Sequence, residues 1–315
     1  MSRPSGAQPD LLIPLRGGGG ERVDLVRTFM SHGMASLPPF EVDESRRVLR
    51  ATVPLRRGKP RTVRVEPRGA KAAVYIAGGR VTATARAEVE RGVRHILALD
   101  RDLSGFYAVA AEDPDLSWAT AGAGRMIRSA TVFEEIVKTI CTTNCSWALT
   151  TKMINALVEH LGERAVGAPP TGAAGRTFPS PEAMAAATPD FYRDVVRAGY
   201  RGPYFIALAS SVASGELDVE AWGSASPDDL PDDELEARLQ ALPGVGPYAA
   251  AHIMLMLGRY SRLILDSWTR PTFARVAGMK SAKDSTILRR FRRYGPYAGL
   301  AFWLYLTRDW VPEPV

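Results

Sequence analysis

Cysteine is nearly absent from these 315 residues, and the two that occur, Cys141 and Cys145, cannot build a disulfide framework or a four-cysteine iron–sulfur cluster within one chain. Set four apart, they supply half the ligands of a closed zinc site, so buried reduced thiols are expected. Histidine is scarce as well: His32, His95, His160 and His252 show no metal-ligand spacing, and no metal site is expected. No apolar run reaches the roughly 20 residues of a membrane span. The segment Leu11-Leu12-Ile13-Pro14-Leu15 is too short for a secretory core and carries a proline. These absences predict a soluble, cytoplasmic protein, nucleoid-associated if bacterial, that acts without a membrane.

The composition, 46% hydrophobic and 23% charged, is that of a globular chain with enough apolar material for a sizeable core. Forty Lys and Arg against 34 Asp and Glu leave a net charge of +6, which suits a polyanionic partner without demanding one.

Along the chain the hydrophobic period changes once. Residues 1–21, with Pro4, Pro9, Pro14 and the run Gly17 to Gly20, read as a disordered lead-in. Residues 22–120 read as a mainly β domain with short helices. Its strands are marked by alternation in Val48 to Leu55 and in Thr62-Val63-Arg64-Val65-Glu66, with turns at Gly58-Lys59-Pro60, Pro67-Arg68-Gly69 and Gly78-Gly79. An antiparallel sheet with one wet face follows, and its arginines suit a solvated surface. Residues 121–315 read as helical, with apolar stripes such as Phe133, Ile136, Val137 and Ile140, then Met153, Leu157, Val158 and Leu161.

The most informative stretch is 233–257. Asp233 and Glu236 read as a capping box opening a helix with Leu235, Leu239 and Leu242 on its apolar face. That helix runs into Leu242-Pro243-Gly244-Val245-Gly246-Pro247-Tyr248. Pro243 stops the helix, the two glycines permit a tight turn, and Pro247 suits the first position of a second helix. Two helices joined in this way present backbone N–H groups that hold phosphate without reading sequence. Eighteen residues past Tyr248, after Leu263-Ile264-Leu265, stands Asp266, followed by Trp268. A helix starting near Pro271 would leave Asp266 in a pre-helical elbow; a structural cap is the alternative.

Leu242 to Tyr248 with Asp266 resembles the helix–hairpin–helix, Gly/Pro-rich loop and aspartate (HhH-GPD) signature of the DNA glycosylase superfamily. That superfamily includes endonuclease III, 3-methyladenine DNA glycosylase II and 8-oxoguanine DNA glycosylase. Weaker matches over residues 93–310 include Val132 to Ser146, Gly199-Tyr200-Arg201 and Tyr294-Gly295-Pro296-Tyr297. The resemblance implies a mostly α fold: a two-lobed helical core with an N-terminal antiparallel β domain, α+β overall. It implies Asp266 as the catalytic carboxylate, and Leu242, Pro243, Gly244, Val245 and Gly246 as the DNA-binding hairpin. Tyr248, Trp268 and His252 become base-pocket residues, with Trp147 as a further aromatic candidate.

Bifunctional members carry a lysine nucleophile where this chain has Tyr248, so hydrolysis without lyase chemistry is expected. Asn144, Tyr200 and Arg201 are the candidates for filling the gap of a flipped base and meeting its orphaned partner. Leu149 stands where 8-oxoguanine glycosylases place an arginine on the orphaned cytosine. The implied activity is release of damaged bases, alkylated purines in first place, from double-stranded DNA by a monomer. The alternatives are an 8-oxoguanine-type glycosylase and a catalytically silent damage-binding module. No cofactor is implied beyond room for a monovalent cation at the hairpin.

Overall fold

The computed structural model describes residues 8–311. Five strands form one antiparallel sheet: β1 (Leu11–Pro14), β2 (Phe40–Asp43), β3 (Val48–Val53), β4 (Arg61–Arg68) and β5 (Lys71–Ile76), in the order β1-β5-β4-β3-β2. The alternation seen in the sequence sets its two faces. Leu49, Ala51, Val53, Val63, Val65, Val74 and Ile76 are buried, and they share a core with Val89, Val93 and Ile96 of the helix Ala83–Ile96. Arg50 and Arg64, paired across β3 and β4, point the other way.

Part of the predicted lead-in is a strand. Leu11 and Ile13 alternate inward, and β1 pairs with β5 in the register Leu11↔Val74 and Ile13↔Ala72. Pro14 is tolerated because it sits at the end of an edge strand. Residues 1–7 lie outside the described residues. The boundary at 120 also shifts. Leu103, Phe106, Ala110, Leu116 and Ala119 pack with Phe273, Phe291 and Phe302, so this stretch belongs to the helical core.

That core has two lobes. One gathers Phe133, Ile136, Val137 and Ile140 of the helix Val132–Thr142 with Met153, Leu157, Phe205, Leu235 and Leu239. The other gathers Phe106, Phe273, Ile287, Phe291, Leu300 and Phe302. The helix Pro247–Met256 divides them: Ala250, Ile253 and Met254 face the first lobe, Ala251, Leu255 and Met256 the second. Every residue from Ala249 to Met256 is buried, and Tyr248 touches both lobes.

The strand placement of Ile13 has a measurable consequence. Ile13 is 0% exposed, so Ile13→Ala should cost about 2–5 kcal/mol in urea unfolding, the range of a large-to-small core truncation. A disordered lead-in would leave stability unchanged.

Candidate functional site

The hairpin joins the helix Asp232–Gln240 to the helix Pro247–Met256. Gly244 has φ +84°, and a Cβ there would lie 2.8 Å from the Tyr204 ring, so both backbone angle and space demand glycine. Gly246 differs from the sequence expectation of two left-handed glycines. It is extended, with φ −100° and ψ −175°, and nothing stands near its absent Cβ. Its carbonyl accepts from Ala250 N–H at 2.9 Å, so it is the cap of the second helix. Val245 is buried as the anchor of the turn, Leu242 packs against the first lobe, and Pro243 and Gly246 are exposed.

The expected capping box of Asp233 and Glu236 does not form; the helix starts at Asp232 with Pro231 as its cap. The acidic side chains turn instead to the segment leading toward Asp266. Arg259 donates through Nε to Asp232 at 2.6 Å, and Arg262 pairs with both Asp233 and Glu236. Arg262 outcompetes a backbone N–H for both capping-box carboxylates, because charge-assisted bonds are about twice as strong as neutral ones. The hairpin and the approach to Asp266 are thereby tied together.

Asp266 stands three residues before the helix Thr269–Val276, whose N-cap residue is Trp268, and its side chain holds the backbone at that start, so the helix begins earlier than predicted. Its Oδ1 accepts from the N–H of Trp268 at 2.8 Å and of Thr269 at 2.6 Å, while Asp266 N–H donates to Thr269 Oγ1 at 2.8 Å. Pro271 is accommodated in the first turn, where its missing N–H would have had no helical partner. The two readings of Asp266, cap and functional carboxylate, are thus compatible: both bonds fall on Oδ1, and none among the described residues reaches Oδ2.

Tyr248 lies close enough to Asp266 to feel its charge. Burial raises the phenol's pKa first and the Asp266 carboxylate raises it further, so the group is neutral at ordinary pH. Its hydroxyl stands 3.4 Å from Thr142 Oγ1. The His252 ring is 6.1 Å from the Tyr248 ring, and His32 is 6.2 Å from His252, edge to face. Burial pushes His252 down to about 3 and His32 to about 4. His32 Nε2 lies 2.9 Å from the Ile127 carbonyl, whereas His32 Nδ1 and His252 Nε2 are buried without a protein partner.

Trp268 is 40% exposed and meets Trp303 and Trp310 at ring distances of 5.7 and 5.6 Å. Trp147 sits apart from these rings, over Gly33. His32, Thr142, Trp303 and Trp310 escaped the sequence reading because they come from four distant segments with no shared spacing. The one available signal was the apolar Phe302-Trp303-Leu304 run.

Of the three wedge candidates, the structure brings Asn144 and Tyr200 together. Asn144 adopts φ +47° just past the helix Val132–Thr142, and its Nδ2 donates to Tyr200 Oη at 3.5 Å. Both side chains are exposed. Arg201 is not available to an orphaned base. It is 3% exposed, donates to the carbonyls of Ile140, Ala198 and Thr143, and lies 4.5 Å from the centre of the Tyr200 ring. A guanidinium has donors enough to satisfy the end of a helix whose carbonyls lack partners, and that use buries it. Leu149 packs against the first lobe. Among the described residues no cluster of His, Cys, Asp and Glu could hold a metal, and no helix is long and apolar enough to cross a membrane.

This architecture is the α+β fold of helix–hairpin–helix glycosylases. A 3-methyladenine DNA glycosylase from Archaeoglobus fulgidus superposes with a TM-score of 0.71 at 19% identity, covering 96% of this chain and 100% of that one. MBOgg1 in complex with a low-affinity DNA ligand gives 0.70 at 21% identity, covering 95% of each chain. The Clostridium acetobutylicum 8-oxoguanine glycosylase/lyase in complex with double-stranded DNA containing cytosine opposite 8-oxoG gives 0.68 at 21%, covering 96% of this chain and 99% of that one. No family model and no curated protein matches the sequence.

Two predictions follow from the buried groups. Burial lowers the pKa of His32, His95 and His252 to about 4, 4 and 3, against about 6.5 in the unfolded chain. Between those limits the unfolded chain holds more protons, so stability rises with pH. The stabilisation is complete above about pH 6.5 and is lost as pH falls, by roughly 1.4 kcal/mol per unit for each histidine. Urea unfolding at pH 7.5, 6 and 5 measures this, and His252→Phe should make the dependence shallower.

For Arg201, removal strands backbone carbonyls. Arg201→Ala should therefore destabilise by about 1–3 kcal/mol, whereas Tyr200→Ala at the exposed tip should stay within about 0.5 kcal/mol. A base-contacting Arg201 would instead leave stability untouched and change DNA binding alone.

Proposed function

We propose that this protein is a DNA glycosylase that flips a damaged base out of duplex DNA and releases it by hydrolysis, without lyase chemistry. The observation that carries the reading is the pairing of Asp266 with Tyr248. A carboxylate is fixed at the head of a helix with one oxygen unoccupied among the described residues, beside a neutral phenol. As an N-glycosidic bond breaks, positive charge grows on the sugar; a fixed carboxylate stabilises it and can orient or deprotonate water. Lysine is the group that could divert the reaction to a Schiff base. The lysine on the nearby helix Val132–Thr142, Lys138, is buried in an ion pair with Glu134 at 2.6 Å.

The hairpin supplies backbone N–H groups around the exposed Gly246 for a phosphate, and Asn144 with Tyr200 forms the wedge that fills the vacated stack. Alkylated purines are the proposed substrate class. A cationic base is a good leaving group that needs no strong acid, and the uncharged histidines and the indoles near Asp266 favour such a ring. The engagement of Arg201 with backbone carbonyls and the apolar Leu149 weigh against a cytosine-reading, 8-oxoguanine-type site.

The test is base release from single-lesion duplexes under single-turnover conditions. Asp266→Asn should abolish release while leaving duplex affinity near wild type, since the charge is needed only as the sugar becomes cationic. Borohydride should trap no protein–DNA adduct. Wild-type release rates by Asp266→Asn, or a robust trapped band, would sink the mechanism.

A further inference from the structure

A cavity of about 710 Å³ lies on the outer face of the sheet, roofed by the loop 166–175 and walled by the helix Trp147–Leu161. None of its lining residues belongs to the hairpin, to Asp266 or to the tryptophan cluster. Its floor is a row of cross-strand partners: Glu41 on β2, Arg50 on β3, Arg64 on β4 and Tyr75 on β5. Two residues along on the same face, Thr52 and Thr62 bring their hydroxyl oxygens to 3.5 Å.

Placing Arg50 directly opposite Arg64 sets like charges side by side, which costs stability unless an anion lies between them. The nearest carboxylates stand outside the pair. Glu41 takes Nη1 of Arg50 and Glu66 takes Nη1 of Arg64, each at 2.6 Å. Each guanidinium is thus held by one nitrogen rather than by its two-pronged fork, and its other nitrogens donate to no partner among the described residues. Arg64 is held further by the Tyr75 ring, whose centre is 4.0 Å from the guanidinium carbon. Across the cavity, Val166, Pro169 and Ala173 offer an apolar wall, and Thr151 and Asn155 add polar groups.

We propose that this cavity is a second binding site, for a small organic anion with a phosphate or carboxylate head and an apolar ring. The head would lie over Arg50 and Arg64 within reach of the threonine hydroxyls, and the ring against the loop. Cavities of about 300–1,000 Å³ with an apolar lining and a few converging polar groups are the usual form of small-molecule sites. A duplex does not fit this chemistry. A recess of about 710 Å³ holds a small molecule rather than a double helix. The proposal does not depend on glycosylase activity, because it concerns another face of the molecule.

The experiment is isothermal titration calorimetry of the full chain with 1-naphthyl phosphate and 1-naphthoate, which separate the two head groups, and with uncharged 1-naphthol. At least one anion should bind, with naphthol weaker. The double variant Arg50→Gln/Arg64→Gln should lose about tenfold or more in affinity, as expected for charge-assisted bonds. Ala173→Trp, which fills the cavity from the loop and leaves both arginines in place, should also block binding, guarding against a floor variant that merely misfolds. Neither Asp266→Asn nor saturating undamaged duplex should affect the titration. The proposal fails if neither anion binds, if naphthol binds equally well, if both variants keep wild-type affinity, or if duplex displaces the ligand.

Discussion

The burial of one short helix on every side is the constraint from which the rest follows. Ala249 to Met256 form a wall shared by two hydrophobic lobes, so neither lobe can shift without carrying this helix with it. Its N-terminus is where the hairpin meets solvent, and Tyr248 stands in its first turn, touching both lobes. Small residues let the lobes approach closely: Ala249, Ala250 and Ala251 leave room for neighbouring side chains, and the helix ends in a left-handed Gly258. Arg259 N–H then bonds back to the Met254 carbonyl and Gly258 N–H to the Leu255 carbonyl, a tight reversal that directs the chain toward Asp266.

Rigidity at the carboxylate is achieved by charges far from it in sequence. The acidic first turn of the helix Asp232–Gln240 suits the positive end of its dipole and also clamps Arg259 and Arg262. The chain therefore leaves its clamp only a few residues before Asp266, and Thr269 fixes Asp266 again by reciprocal bonds. A carboxylate held at both approaches has little freedom to reorganise, which is what electrostatic stabilisation of a developing cation requires.

Local chemistry was legible in the sequence and long-range assembly was not. The hairpin, Pro247 at the start of its second helix, the inward faces of β3 and β4 and the stripe from Phe133 to Ile140 were all readable, because each rests on neighbours one turn or two residues away. The failures have one physical origin. Asp233 and Glu236 have the spacing of a capping box, but one arginine more than 20 residues later, Arg262, takes them both. Leu11 and Ile13 look like part of a loose tail until β5 arrives to pair with them. Arg201 looks like a surface cation until the end of the helix Val132–Thr142 presents it with carbonyls.

The same competition shapes the surface around the hairpin and Tyr200. Arg201, beside Tyr200, and Arg259, past the far end of the hairpin's second helix, are buried and consumed by carbonyls and carboxylates of the fold itself. The backbone at Gly246, the amide of Asn144 and the ring of Tyr200 stay exposed. Under the proposed function, N–H groups would hold a phosphate and a planar ring would fill a vacated stack, and both operations are indifferent to base sequence. Under the same proposal, selection of a target would fall to the interior, where neutral histidines, indoles and the Asp266 carboxylate would discriminate by the charge and stability of the departing ring.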